Sequence, residues 1–391
     1  MARLVLPLAI AALCGVTSAA GLMESGVARL TRGAGVAQSG SRPCGRCHSS
    51  EFALWSQHPH SHALIDPQTD PRRITARWGR RVPGWREYVE GRFQREQVVR
   101  AFGVGLYQVY FRADPDGHRL LPACWHLTER RWLPLPAELA RVEQEGATWG
   151  ERCAGCHTTG YRPVERTSDE FNVGCMACHG DGAEHLASEG RTPMLRPDLL
   201  EPKRSAEVCG ACHSRGIDPV TGAPYAARFR PGAVLGDTFR VMAAPPEGDA
   251  RFWPGGVERL PYMEYQGFLQ SAHFRGGLRC TSCHLPHGSQ YGKALVRRTE
   301  DLCTECHAGG GARGPVHTRH PAGKAGCVDC HMAVVNPGSD WVPVRTHTLR
   351  FLEPERAQAT GMPSSCATAS CHAGRDAAWA AGVVRAWRQR P

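Results

Sequence analysis

Lysine and long apolar runs are both scarce in this sequence. The lysines are Lys203, Lys293 and Lys324, so arginine supplies nearly all of the positive charge of a 391-residue chain with a formal net charge of +10. A transmembrane helix needs about 20 consecutive apolar residues, and the apolar run at residues 4–16 is shorter than that. We therefore expect no membrane-spanning helix in the mature chain.

The N-terminal residues have the pattern of a secretory signal. Arg3 supplies a basic start, residues 4–16 an apolar centre, and Ala20 ends a small-residue cleavage site. We assign residues 1–20 to this signal and the Gly-, Ser- and Ala-rich residues 21–43 to a flexible leader. A lipid anchor at Cys14 is disfavoured, because bulky Leu13 stands where a small residue is usual. The mature protein is then expected in the periplasm or outside the cell.

Cysteine, in contrast, is abundant and regularly spaced. Sixteen of the 18 cysteines fall in seven copies of Cys-x-x-Cys-His and one stretched copy, Cys-x-x-x-x-Cys-His. Numbered along the chain, motifs one to eight are Cys44, Cys47 and His48; Cys153, Cys156 and His157; Cys175, Cys178 and His179; Cys209, Cys212 and His213; Cys280, Cys283 and His284; Cys303, Cys306 and His307; Cys327, Cys330 and His331; and Cys366, Cys371 and His372. The cysteines outside the motifs are Cys14 and Cys124, and we interpret Cys124 as a small buried residue.

The histidine after each second cysteine decides the chemistry. Cys-x-x-Cys alone is compatible with half a zinc site, a redox dithiol or a disulfide. Cys-x-x-Cys-His is the signature of covalent haem c attachment, in which the thiols bond to the haem and the histidine takes one axial position on iron. None of the alternatives needs a histidine at every copy. We therefore predict eight covalently attached haems, with the stretched motif eight as the weakest case.

Bound haem would offset the positive net charge of the chain. Each haem brings two propionates, so eight haems would offset about 8 to 16 positive charges. Arginine pairs well with such carboxylates. We therefore do not interpret the net charge as a nucleic-acid-binding signal.

The histidine count bears on whether any iron is open. Eleven of the 19 histidines lie outside the motifs, which is enough to give every iron a second imidazole. An iron with two histidines transfers electrons, whereas an iron with an open position also binds substrate. We favour as distal ligands His185, His273, His287, His317, His320 and His347, with at most two of His58, His60 and His62. His118 and His126 are interpreted as ordinary residues.

The predicted fold is mostly α-helix and irregular loops wrapped around stacked haems. Residues 44–213 are assigned to an N-terminal four-haem domain, 214–270 to a loop-rich connection and 271–391 to a C-terminal four-haem domain. Residues 49–152 are expected to form a small β-containing insert, with strands at 106–111, 120–121 and 132–133, a turn at 114–117 and a helix within 136–149. A C-terminal helix is expected at 376–388.

Several spacings together resemble the multihaem cytochromes c with doubled Cys-x-x-Cys-His modules. These are related to nitrifier tetrahaem cytochromes and to hydroxylamine-oxidoreductase-like octahaem proteins. The segment from Trp55 to Ala63 is similar to that family's Trp-x-x-Ser-x-His-x-x-Ala, and the likeness selects His60. The segment from Cys280 to His287 and the pair His317-x-x-His320 resemble the doubled module.

The resemblance implies electron transfer through mainly bis-histidine haems. Expected partners are redox proteins, including a membrane quinone-linked module. The alternative is an oxidoreductase that acts on a small nitrogen or sulfur oxo-compound at one open haem, with a site beside the insert formed by Cys124, His118, His126 and arginines. The chain has no Cys-x-x-Cys-Lys and no tetratricopeptide repeats. A lysine-ligated catalytic haem and a scaffolding role are thus not indicated.

Overall fold

A computed structural model describes residues 40–103, 105–244, 249–308, 315–336 and 343–389. Residues 1–39, which include the predicted signal, Cys14 and most of the leader, lie outside the described part. The strands are β1 Leu64–Ile65, β2 Val98–Phe102, β3 Tyr107–Arg112, β4 Arg119–His126, β5 Arg131–Pro134, β6 Thr158–Thr159, β7 Glu170–Phe171, β8 Gly216–Ile217, β9 Arg240–Val241, β10 Phe252–Trp253 and β11 Val257–Glu258.

Most helices are short and separated by turns. They are α1 Ser49–Trp55, α2 Pro59–His62, α3 Ala137–Gln144, α4 Trp149–Arg152, α5 Ala154–His157, α6 Met176–His179, α7 Ala183–Ala187, α8 Pro202–Gly210, α9 Glu264–Leu269, α10 Ala272–Arg275, α11 Thr299–Thr304, α12 Pro315–Thr318, α13 Cys327–His331, α14 Pro354–Thr360 and α15 Ala377–Gln389. Among the described residues, no helix is both long and apolar enough to cross a bilayer.

Strands β1 to β5 form one antiparallel sheet in sequence order, which we call the N-terminal sheet. Alternate residues of a strand point to opposite faces, and both faces of this sheet are buried. Tyr110 and Trp125 lie in one apolar cluster, whereas Val109 and Cys124 lie in the other. The predicted β-structure within residues 49–152 is therefore present, and Cys124 is buried as expected.

Trp132 is the centre of the first cluster. Its ring centroid lies 4.9 Å from that of Trp78 and 5.7 Å from that of Trp125, and its indole N–H donates to the Arg77 carbonyl at 2.8 Å. The side chain is completely buried. This cluster attaches residues 74–93 to the sheet without using any haem motif.

The second cluster joins the sheet to motif two. Phe102 and Phe111 pack with Trp149, Cys153 and Ala154. Helix α4 is anchored by Thr148, whose backbone N–H and hydroxyl both donate to Glu151. The sheet therefore forms one wall around motif two.

Three predicted elements differ from the structure. The helix expected within 136–149 ends at Gln144, because Gly146 adopts a left-handed backbone (φ +65°) that a continuing α-helix does not allow. A separate turn of helix then begins at Trp149. The connection at 214–270 carries four two-residue strands and α9 besides its loops. The C-terminal helix is shifted by one residue, and its packing residues include Val384, which is buried.

Replacement of Trp132 with alanine is expected to destabilise the N-terminal sheet by about 3–5 kcal/mol, because it opens a large cavity in an aromatic cluster. The measurement is hydrogen exchange of the β3 and β4 amides, compared with the unmodified protein. Val164→Ala, at a 90% exposed side chain, serves as the control and should change these free energies by no more than about 0.5 kcal/mol. An equally small effect of Trp132→Ala would contradict the assigned core.

Candidate haem-binding sites

The Cys-x-x-Cys-His motifs share one backbone conformation. In motifs one to six the histidine N–H donates to the carbonyl of the first cysteine at 2.8–3.2 Å. Motif seven lies entirely within α13. One helical turn places residues i, i+3 and i+4 on the same side. Both thiols and the imidazole of each motif can therefore approach one edge and one face of a single planar group.

Motif one shows how the two cysteines of a motif differ in their surroundings. The Cys47 N–H donates to the Cys44 carbonyl at 3.2 Å, so Cys47 closes the same tight turn as His48. Cys47 is nevertheless exposed, whereas Cys44 is partly buried and contacts motif three through Cys175. Burial is therefore not what identifies Cys47 as a haem-attachment residue, and its assignment rests on the motif and the turn. The second cysteines of motifs six and eight, Cys306 and Cys371, are exposed in the same way.

Motif eight has a different backbone. Cys366 and Cys371 are separated by bends and turns, with the Cys371 N–H donating to the Thr368 carbonyl at 3.2 Å. The His372 ring lies 4.8 Å from the Trp379 ring of α15. The extra two residues are thus accommodated in an irregular, partly exposed loop, and α15 packs beside it through Trp379.

Seven motif histidines each face one histidine from outside the motifs. The ring centroids of these pairs are 5.8–6.5 Å apart. The pairs are His48–His185, His213–His60, His179–His287, His284–His347, His307–His273, His331–His317 and His372–His320. Each of the seven distal ligands predicted from the sequence belongs to one of these pairs, and each faces the histidine of a different motif.

The separation within each pair suits a single metal atom. Two metal–imidazole bonds of about 2 Å each, added to the distance from the bonded nitrogen to each ring centre, separate the centroids by about 6 Å. The His317 and His331 rings are parallel to within 7° yet 6.2 Å apart. The residues present therefore fit an iron held between two imidazoles.

Hydrogen bonds to the ring nitrogens favour metal binding. Nδ1 of His179 lies 2.8 Å from the Leu195 carbonyl, and Nδ1 of His185 lies 2.7 Å from the Thr192 carbonyl. His284, His320 and His347 make the same kind of contact with Lys293, Thr318 and Arg345, respectively. Since a carbonyl only accepts, Nδ1 carries the proton and Nε2 keeps its lone pair for a metal.

His60 is positioned by the segment that precedes motif three. Its carbonyl accepts from the Val173 N–H at 2.7 Å, and the Asn172 side chain bonds to both backbone groups of Leu64. His58 lies in the same segment, but its Nδ1 accepts from the His60 N–H and caps α2. The structure thus places His60, rather than His58, opposite a motif histidine.

His157 of motif two is different. Its ring lies 5.0 Å from Phe102 and 5.9 Å from Trp149. Among the described residues, which include all 19 histidines, no second histidine ring faces it. Burial lowers the pKa of His157 to about 4, so the imidazole is neutral and suited to bind a metal.

The other side chains that were expected to line an open site beside the sheet make different contacts. Cys124 is fully buried and its thiol donates to the Pro134 carbonyl at 3.3 Å. His126 is buried, and its Nδ1 accepts from the Glu129 N–H. The expectation that these two side chains line an open site beside the sheet is wrong, because β4 directs both into packed surroundings. His118, beside the turn, faces no other histidine in the described part of the chain.

The thiols of different motifs are close together. Direct thiol–thiol contacts join Cys44 to Cys175, Cys156 to Cys212, Cys209 to Cys280 and Cys303 to Cys327. Electrostatic interactions further connect Cys178 to Cys212, Cys283 to Cys306 and Cys330 to Cys366. Motif four therefore contacts motifs two and five through its thiols and lies near motif three.

Two carboxylates near motifs four and five, buried Glu258 and partly buried Glu264, were not predicted from the sequence. Glu264 Oε2 lies 3.5 Å from His213 Nδ1, and Glu258 Oε1 accepts from the His347 N–H at 2.7 Å. Burial raises the pKa of Glu258 to about 7. Nothing in the local sequence marks either glutamate, because both reach their histidines only through tertiary packing.

Comparisons with known proteins agree with this geometry. A family model for the doubled CXXCH motif matches residues 272–312, which hold motifs five and six, and one for cytochrome c554 and c-prime matches residues 135–180, which hold motifs two and three. A search of curated protein sequences gave no match.

Solved multihaem cytochromes have a similar fold. The outer cell wall cytochrome OcwA is 23% identical with a TM-score of 0.73, and the match covers 90% of this chain and 86% of that chain. The undecahaem cytochrome from the S-layer of Carboxydothermus ferrireducens is 19% identical with a TM-score of 0.51, and the match covers 90% and 59%, respectively. The resemblance to multihaem cytochromes c is confirmed, and the family matches support haem c attachment through Cys-x-x-Cys-His motifs.

Proposed function

We propose that this multihaem c-type cytochrome carries eight covalently attached haems and transfers electrons along them outside the cytoplasm. The observation that carries the proposal is the set of seven motif histidines that each face a different second histidine at about the spacing of two axial ligands on one iron. In this assignment the facing histidine is the distal ligand. Haem supplies the one-electron redox chemistry, and the protein sets its position and potential.

The thiol contacts support a definite haem order. Because both thioethers attach at the haem edge, contacting thiols from two motifs bring two haem edges close together. Direct contacts join motifs one and three, four and five, and six and seven. Longer-range electrostatic interactions link motifs three and four, five and six, and seven and eight. Together they support the order motif one, three, four, five, six, seven, eight. Motif two joins motif four through Cys156 and Cys212 and forms a side branch. Electrons would enter near one end of the main order and leave near the other.

The comparisons support a location at the cell surface. The two solved relatives are described as an outer cell wall protein and an S-layer protein. The predicted signal at residues 1–20 points in the same direction. The partners would be redox proteins that donate electrons to this cytochrome or accept electrons from it. One of them would be a quinone-linked module in the membrane.

A second function is favoured at motif two. His157 faces aromatic rings and no second histidine among the described residues. An iron there would keep one open position and bind a small nitrogen or sulfur oxo-compound. Because the motif-two haem would lie on a side branch, the other seven haems could transfer electrons whether or not substrate is bound.

Electron paramagnetic resonance of the oxidised protein tests both parts of the proposal. We expect seven low-spin ferric haems and one high-spin ferric haem, because only one iron lacks a second imidazole. Nitrite, hydroxylamine or sulfite should shift only the high-spin signal. A spectrum that is entirely low-spin and unaffected by these compounds would rule out the open iron and leave a pure electron carrier.

Replacement of His60 with alanine is expected to create one additional high-spin ferric haem, because motif four loses its distal imidazole. His62→Ala is the matched control, since His62 lies on the same helix and faces no motif histidine in the described structure. It should leave the low-spin count unchanged. Equal spectra for the two variants would remove His60 from the ligand set.

The mass of the intact protein tests whether the stretched motif eight carries a haem. Cys366→Ser combined with Cys371→Ser is expected to remove one haem from the intact protein, because both thioether bonds are lost. Cys124→Ser should remove none, since Cys124 lies outside the motifs and is buried in the sheet. Intact-protein mass spectrometry distinguishes the two. An unchanged haem content in the double variant would mean that seven motifs carry haem.

A further inference from the structure

Helix α9 is fastened to the end of motif four. The Tyr265 N–H donates to the His213 carbonyl at 3.0 Å, and the Gln266 side chain donates to the Arg215 carbonyl at 3.0 Å. This attachment holds the first residue of α9, Glu264, with Oε2 3.5 Å from Nδ1 of His213. No other partner of that oxygen is found among the described residues.

The surroundings of His213 differ from those of the other paired histidines. Where the Nδ1 contacts of paired histidines are defined, as in His179, His185 and His284, the acceptor is a neutral backbone carbonyl. Within the described residues, carboxylates approach the rings of His213 and His126. His126 is not a member of any histidine pair. His213 is therefore the paired histidine whose ring nitrogen faces a carboxylate.

Glu264 places a carboxylate beside the ring of His213. Its Oε2 atom is itself buried and lies 3.5 Å from Nδ1 of His213. The contact distance is that of an ion pair rather than a short hydrogen bond. Its effect on His213 is consequently electrostatic, with a fixed negative charge beside the ring.

We propose that Glu264 is a positioning residue that lowers the reduction potential of the motif-four haem relative to the other bis-histidine haems. The inference rests on the proposed role of His213 as an axial ligand. A carboxylate beside Nδ1 draws the proton and makes the imidazole a stronger donor, which stabilises ferric over ferrous iron. The same charge favours the more positive oxidation state directly.

The reduction potential of the motif-four haem would affect electron transfer to motif two, because motif four lies next to it. Cys156 of motif two contacts Cys212 of motif four, which makes motif four a junction between motif two and the other motifs. A low-potential haem at that junction stays oxidised while its neighbours become reduced. Electron transfer through motif four to the open iron then requires an energetically unfavourable reduced state, which slows it. Glu264 would set the height of that step.

Spectroelectrochemical titration of Glu264→Gln tests the proposal. We expect the equilibrium constant for reduction of one haem to rise about tenfold, which is about 59 mV for one electron. The motif-five haem should shift less, because its candidate ligands His284 and His347 also interact with Glu264 over a longer distance. The other haems should be unchanged. Glu264→Asp keeps the charge and should remain closer to the unmodified protein. Glu138→Gln is the control, because Glu138 pairs with Arg215 near motif four and does not contact a paired histidine.

The His60→Ala background identifies the haem concerned. In that variant the motif-four iron is expected to be high-spin, so adding Glu264→Gln should raise the midpoint of the high-spin signal created by His60→Ala. Unchanged midpoints in Glu264→Gln, or equal shifts in all haems, would overturn the inference. A Cys209–Cys212 peptide without haem would instead defeat the proposed function, since motif four would hold no iron.

Discussion

The separation between two imidazole rings is the constraint on which this structure depends. A motif histidine and its facing partner come from distant parts of the chain, as with His48 and His185 or His60 and His213. In the proposed assignment each haem is bonded to one segment and ligated by another. Each iron then acts as a cross-link that closes a long loop, and such cross-links oppose unfolding by restricting the unfolded chain. Short helices and loops can therefore suffice where an apolar core alone would need longer elements.

The sequence predicted the members of this arrangement better than their pairing. Motif spacing identified the proximal histidines, and local context selected the distal candidates. No local pattern indicates that His287 faces motif three rather than its own motif five, because that choice depends on how separate segments pack. His60 was chosen over His58 through family resemblance, and the structure supplies a physical reason, since His58 is used to cap α2.

Prediction in the N-terminal sheet succeeded for strands and failed for the site beside it. Alternating apolar residues indicated β3 and β4, but the polar side chains between them suggested an accessible pocket. A sheet covered on both faces buries most positions of its central strands, and Cys124 and His126 are among the buried positions. The aromatic residues Phe102 and Trp149 approach His157 instead, and their importance could not be judged before the sheet was located against motif two.

In the proposed haem arrangement motif four is the junction, because it contacts motifs two and five and lies near motif three. Loss of a terminal haem would shorten the proposed electron path, whereas loss of the motif-four haem would divide it into separate parts. A junction of this kind cannot be tuned by exposure to solvent without opening the centre of the molecule. In our proposal, a partly buried carboxylate fixed by α9 avoids that difficulty, because Glu264 would act through His213 while Tyr265 stays packed against Gly210. The potential of the motif-four haem is therefore better set by the groups around its axial histidine than by exposure of the haem to water.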